Sequence, residues 1–290
     1  MKNILVVYKK SLYELYLNSK DTDVQEFMHT PADVERLRIS HEEQVETLEH
    51  VVRNLNKRDY NVDVMYRADL KPIIGKDLVV TVGGDGTLLE VAHYVTDMTP
   101  VLGVNSNPTN SVGYFSCATK ENFAGVIDQF DTYARTNLQR LHLTVDGQDI
   151  PELVLNDVLF AHCNPAAMTG YELSVDGIDQ LNEKREKRLR SSGLLICATA
   201  GSTAWMYQLG GGIMPLDSTQ MQYHERDQRN APFGVANSSI AVRSLTREGY
   251  LYVDGEHLQY PFGLGSKMLI TQGAKLVLVG DLEEKRRKIG

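Results

Sequence analysis

One short stretch, Val-Val-Thr-Val-Gly-Gly-Asp-Gly-Thr-Leu-Leu-Glu (79–90), sets a single carboxylate, Asp85, among Gly83, Gly84, Gly86 and Thr87, where an apolar run gives way to an amphipathic one. Glycines let a backbone turn sharply and bring its N–H groups close to an anion, and a helix starting there adds its positive end, so phosphate is the natural guest. A carboxylate beside phosphate is repulsive unless it has a task. Two tasks are available: accepting the proton of a hydroxyl nucleophile, or helping to hold Mg²⁺ against the phosphates. The bland alternative is that Asp85 only caps the helix.

Two further clusters have chemical potential. Asn156-Asp157 follows the apolar Leu-Val-Leu, and an amide next to a carboxylate at a strand end can read an adenine edge and ribose hydroxyls; an ordinary turn pair is the other reading. In Gly-Leu-Leu-Ile-Cys-Ala-Thr-Ala-Gly-Ser-Thr-Ala-Trp (193–205) a strand runs into a polar turn and then a helix. Ser202 and Thr203 can cap that helix or bind a ligand, and Trp205, the single tryptophan, can stack on a purine or fill a core. Arg190 is a candidate phosphate partner, set against a charged, solvated loop at 182–190.

The elements that must position these residues fall into two textures. Strands are expected at 3–9, 62–66, 78–82 and 101–105, and helices at 41–58, from the glycine turn to about Thr96, and at 121–130; residues 10–39 read as a loop with a short helix. That alternation predicts a parallel sheet flanked by helices over residues 1–137. From 138 to 280 the chain reads as short β-runs separated by turns, with 201–209 the one helical segment, and 281–290 as a polar tail. Val-Asp-Gly occurs at 145–147, 175–177 and 253–255, and hairpin-turn chemistry accounts for at least two of the three.

Composition narrows the function. With 290 residues, a formal net charge of −8 and no dense basic stripe, nucleic-acid binding is not expected. No apolar run suits a membrane span and the N-terminus does not read as a signal peptide. Cys117, Cys163 and Cys197 read as buried thiols of a cytoplasmic protein, with no protein-held metal site. P-loop, strict dinucleotide, zincin and nucleophile-elbow motifs are all absent, which removes most support for redox chemistry and serine hydrolysis.

The ordered set formed by 83–87, 156–157, 199–205 and Asp254-Gly255 resembles the NAD kinase family, with Gly-Val-Asn at 103–105 and Arg-Ser-Ser-Gly at 190–193 in further agreement. The match spans roughly residues 78–279 and looks closest to the plant NADH-kinase branch. The resemblance implies ATP-dependent, Mg²⁺-assisted phosphorylation of the 2′-hydroxyl on the adenosine ribose of NAD(H), with NADH favoured, by a cytoplasmic homodimer. It implies that Asp85 accepts or orients the hydroxyl proton. Asn105, Asn156, Asp157, Thr199, Ser202, Thr203, Ala204, Trp205 and Asp254 are then expected around NAD(H), and Gly83, Gly84, Gly86, Thr87 and Arg190 around ATP phosphates. Trp205 stands where that family usually has tyrosine, and Ser192 where many bacterial members have aspartate. The rival activities are a lipid kinase, which shares the Gly-Gly-Asp-Gly-Thr turn, and a sensor that binds NAD(H) without turnover.

Overall fold

The structure is a computed structural model that describes residues 1–28, 31–182, 184–228 and 231–287, without the side chain of Asp33. The chain forms two compact units, Met1–Thr136 with Val277–Lys285, and Asn137–Leu276 with Arg286–Gly290.

The first unit is α/β. Its sheet runs in the order Tyr60–Tyr66, Lys2–Tyr8, Leu78–Gly83, Val101–Asn105, Leu276–Val279, Arg135–Leu138, with Ser116–Thr119 also pairing to Val101–Asn105. The pairings that involve Lys2–Tyr8, Leu78–Gly83 and Val101–Asn105 are parallel. Every residue of Leu78–Gly83 and Val101–Asn105 is buried, which is why both read as continuous apolar runs and not as alternating ones. The run 275–280, expected with the β-rich domain, instead adds to this sheet through Leu278 opposite Val101.

The helix expected at 41–58 is longer, Pro31–Asn56. Its first half has no apolar stripe because it faces solvent, and is supported by Arg38 between Glu35 (2.6 Å) and Glu42. Its second half buries Val51 and Leu55 against the sheet. Residues 10–28 hold two short helices, Leu12–Leu17 and Thr22–Phe27, where one had been expected. No helix among the described residues is long and apolar enough to cross a membrane.

The second unit is β-rich. One antiparallel sheet orders Ile178–Asp179, Thr169–Val175, Ser239–Ser244, Lys267–Gln272, Leu141–Val145, Gln148–Asp149; the other orders Gly234–Ala236, Met221–Glu225, Leu194–Cys197, Asp157–His162, Gly249–Val253, Leu258–Pro261. Both sheets contribute to one core that includes Phe160, Tyr171 and Phe262. Two Val-Asp-Gly repeats are two-residue hairpins with both central residues at positive φ: Asp146 (52°) and Gly147 (81°), Asp176 (50°) and Gly177 (80°). The third opens a longer connection, 254–257, and does something else with its aspartate, described below. Within the segment expected as a polar tail, Leu282–Arg286 is helical.

Of the three cysteines only Cys197 is fully buried. Cys117 is half-buried and Cys163 is exposed, so the expectation of three buried thiols is corrected: Cys163 lies just past the end of strand Asp157–His162, where the chain leaves the core.

Candidate functional site

In the first unit the buried strand Leu78–Gly83 ends at the sheet's carboxyl edge and hands over to helix Asp85–Tyr94, with Gly84 as an extended N-cap. Gly83 is required here: a Cβ would sit 2.4 Å from Thr87 Oγ1 and 3.0 Å from Thr87 Cβ. Gly86 is different. A Cβ there would meet nothing within 4 Å, so the protein's own packing does not demand glycine and the space over the helix start is open. Thr87 is buried beneath the turn, and its hydroxyl oxygen has no partner.

Asp85 does not cap its own helix through its side chain. The half-buried carboxylate reaches a separate loop, with Oδ2 accepting from Tyr114 N–H and Oδ1 from Phe115 N–H, both at 2.8 Å. Two bonds to one rigid backbone segment fix the carboxylate plane, and each oxygen keeps a second lone pair for another donor. The loop is itself held. Lys285 donates from Nζ to Gly113 O (2.6 Å) and to Ser116 O. Gly113 sits at φ +56°, where a Cβ would also strike the Asn105 side chain at 2.5 Å.

Asn105 lies beside Gly83 in the strand register, as a site residue should. Its buried amide is committed to loop shape, however, donating to Ser111 O (2.8 Å) and accepting from Asn107 N–H (3.1 Å). These bonds give Asn105 a role in building the loop that reaches Asp85, beside the NAD(H) contact expected of it.

In the second unit the Asn156-Asp157 pair and the 199–205 turn are brought together. Ala198 N–H donates to Asn156 O (2.8 Å), and Gly201 packs so tightly on Asn156 that a Cβ would come within 2.1 Å of that carbonyl oxygen. Asp157 and Cys197 are register partners on adjacent strands, and Gln222 follows opposite Cys197. Four polar atoms around these three strands are buried without a partner: Asn156 Oδ1, Thr199 Oγ1, Gln222 Oε1 and His224 Nδ1. Each of these atoms is enclosed by the protein and has no hydrogen-bond partner among the described residues, which is uncommon for buried polar groups.

Asp254, expected to bind NAD(H) directly, is otherwise engaged. Its Oδ2 accepts from Leu155 N–H (2.8 Å), and its Oδ1 from Asn156 N–H (2.7 Å) and Asp157 N–H (2.9 Å). The αL backbone at Asp254 (φ 50°) aims the carboxylate at the start of the neighbouring strand, so Asp254 positions the Asn-Asp pair. The carboxyl of Asp157 is buried and pushed up to about 7, first by desolvation and then by the Asp254 charge.

The polar turn separates into a 3₁₀ segment, Ala200–Thr203, and a short helix, Trp205–Gln208. The break has a local cause: Ser202 Oγ donates to Thr199 O (2.7 Å) and Thr203 Oγ1 to Ala200 O (3.1 Å), which tightens the first turn. Ser202, expected at the ligand, also accepts from Met214 N–H (3.0 Å) and is fully buried, so its hydroxyl holds the turn. Thr203, Ala204 and Trp205 remain half-exposed, and the Arg226 guanidinium lies 4.9 Å over one face of the indole. Arg190 is exposed on strand Leu189–Ser191 between two buried neighbours.

Sequence reasoning missed three residues. Lys285 has just been described. Arg286, buried, donates to Thr199 O (2.5 Å) and Met214 O, pinning the same polar turn that Ser202 holds. Both sit in Glu-Glu-Lys-Arg-Arg-Lys, whose pattern is that of a solvated tail, and nothing in it distinguishes them. Lys9, half-buried at the end of strand Lys2–Tyr8, could have been noticed as a cation directly after an apolar strand.

Comparison with known proteins adds a second line. The ATP-NAD kinase N-terminal domain family matches residues 6–132. A probable NADH kinase of Oryza sativa subsp. japonica is 33% identical over 237 residues, 72% of each chain. An NADH kinase of Arabidopsis thaliana is 32% identical over 255 residues, 78% of this chain and 79% of that one. Among solved structures, an NAD kinase from Archaeoglobus fulgidus in complex with ATP has a TM-score of 0.68 at 19% identity, covering 99% of this chain and 96% of its own. Yeast NADH kinase complexed with NADH has a TM-score of 0.71 at 16% identity, covering 100% and 86% respectively, and these two establish likeness of fold.

Proposed function

Because the chain belongs to the NAD kinase family, we propose that it transfers the γ-phosphoryl group of ATP to the 2′-hydroxyl on the adenosine ribose of NAD(H), with NADH the preferred acceptor. The observation that supports the chemistry best is the placing of Asp85. It is a half-buried carboxylate at the start of a helix, on the sheet's carboxyl edge, with its plane fixed by the N–H groups of Tyr114 and Phe115 and the space over Gly86 open. In this reading the ribose oxygen bonds to the γ-phosphorus as the bond to the bridging β–γ oxygen breaks. Asp85 takes the hydroxyl proton and ADP leaves.

Phosphoryl transfer asks a protein for position and electrostatics more than for covalent chemistry. Gly83, Gly84, Gly86 and the helix start provide close N–H groups for phosphate. The 156–157 and 199–205 segments, which pack on each other where Gly201 meets Asn156, provide an acceptor site for the adenosine. Ala204, Thr203 and Trp205 line its half-exposed rim.

Mg²⁺ fits this donor set as an ion that arrives on ATP. Asp85 is the carboxylate at the turn, since Glu90 further along the helix is paired with Arg67 (3.1 Å), and one carboxylate plus phosphate oxygens is a usual Mg²⁺ environment. The ion would neutralise charge on the phosphates. A homodimer in the cytoplasm completes the proposal, supported by the family resemblance and by three unpaired cysteines.

The deciding experiment incubates the protein with Mg-ATP labelled at the γ-position and, in parallel, NADH, NAD⁺ or diacylglycerol micelles. Label is expected in NADPH at the highest rate and in NADP⁺ more slowly. Label in lipid alone, or tight NADH binding with no label transferred, would reject the reading.

A further inference from the structure

We propose that Lys9 is a ligand of the donor's phosphate chain, an inference that rests on the kinase reading above. Lys9 directly follows strand Lys2–Tyr8, and Tyr8 pairs with Val82 in the neighbouring strand, so Lys9 lies beside Gly83 at the same carboxyl edge. The two are in near contact: a Cβ built on Gly83 would stand 3.4 Å from Lys9 Cγ. Strand order reverses here. From Lys2–Tyr8 the chain moves to one side for Tyr60–Tyr66 and then crosses to the other for Leu78–Gly83. In open parallel sheets the crevice outside such a reversal is where ligands bind.

The charge of Lys9 is uncompensated. Among the described residues it has no carboxylate partner, while Arg67 nearby already pairs with Glu90. Burial, and then the Arg67 charge, lower the pKa of the Lys9 ammonium. A partly desolvated cation facing a like charge costs free energy that an anion would recover. Lys9 borders a small cavity of about 100 Å³ in which Ser11, Ser40, Gln44 and Ser106 share the lining with Leu12 and Leu37. Gln44, 4% exposed, donates from Nε2 to Val82 O (3.1 Å) and Lys9 O (3.3 Å), which locks the Lys9 backbone to the strand that ends in Gly83; Gln44 Oε1 is buried without a partner. Ser40 Oγ accepts from Asn107 Nδ2 (3.1 Å), so its proton remains available to an acceptor.

A compact ammonium beside a glycine turn can meet a phosphate chain as a point charge, as lysines in phosphate-binding loops do. Lys9 thereby takes the part that the sequence pattern suggested for Arg190, which is exposed on strand Leu189–Ser191.

The test uses the full chain as wild type, Lys9→Met and Lys9→Arg. Inorganic triphosphate binding and NADH binding are followed by calorimetry, and the ATP dependence of NADH phosphorylation is measured beside them. Loss of one charge-assisted contact is expected to raise both the KM for ATP and the Kd for triphosphate by about 10–100-fold in Lys9→Met. NADH affinity should stay within about twofold, and Lys9→Arg should regain most of the loss. As a check that needs no variant, triphosphate should protect Lys9 of the wild type from an amine-acylating reagent, read on the peptide by mass spectrometry. Unchanged ATP and triphosphate parameters in Lys9→Met, or acylation of Lys9 at the same rate with and without triphosphate, would overturn the inference. A wild type that binds triphosphate through Lys9 yet phosphorylates neither NADH nor NAD⁺ would instead reject the kinase reading and leave this site standing.

Discussion

The two units use the same device to different ends. In the first, Asp85 gathers two backbone N–H groups from the 114–115 loop; in the second, Asp254 gathers three from 155–157. Asp85 sits half-buried at a helix start beside Gly86, over which the space is open. Asp254 sits at the first position of a strand connection and spends its carboxylate on shaping the neighbouring strand's first residues. A carboxylate ringed by amides is therefore no proof of catalysis. What surrounds the remaining lone pairs decides it.

That contrast can be broken or sharpened by substitution. The largest effect is expected for Asp85→Asn, which keeps shape and removes the proton acceptor: turnover should fall by about 10²–10⁴-fold while NADH affinity stays within a few-fold. Equal losses in both, in a folded variant, would make Asp85 a binding group. Asp254→Ala should behave in the opposite manner. It strips the acceptor from three N–H groups and is expected to cost about 3–5 kcal/mol of stability in urea unfolding, with the KM for NADH rising. Full stability would mean that Asp254 is no staple.

Asp157 comes next, through pH. Its folded pKa, about 7, is above the unfolded value near ~3.9, so its contribution to stability is complete below about pH 4 and is lost as pH rises through 7. Asp157→Asn is neutral throughout. The variant should therefore gain on wild type by about 2–3 kcal/mol between pH 5 and pH 8. A gap that stays constant with pH would show that the carboxyl is well solvated. The smallest effect is expected for Lys285→Met, which frees the loop that holds Asp85: kcat should drop about tenfold, NADH affinity should hold, and Lys285→Arg should rescue part of the loss.

How much of this was legible in the sequence depended on whether a residue's partners were local. The buried strand 78–83 and the glycine turn could be read because burial on both faces writes an unbroken apolar run, and because Gly83 answers a clash four residues away. The first half of helix Pro31–Asn56 could not, since a helix face turned to solvent has no apolar period to detect. Asp254 was noticed as part of a motif, but its bonds to the backbone could not be read there, because its partners lie nearly a hundred residues upstream. The same distance hid Lys285 and Arg286, whose acceptors are carbonyl oxygens of Gly113, Ser116, Thr199 and Met214, groups that every sequence position possesses. Side-chain chemistry announces itself in a sequence; backbone acceptors do not.

The most direct measurement of the central claim is a crystal structure of the Asp85→Asn protein with NADH and Mg-ATP bound. The account predicts the 2′-oxygen of the adenosine ribose within hydrogen-bonding reach, about 2.6–3.2 Å, of the residue 85 side chain, with the γ-phosphate over Gly86. An adenosine lodged elsewhere, or a 2′-oxygen facing away from residue 85, would contradict it.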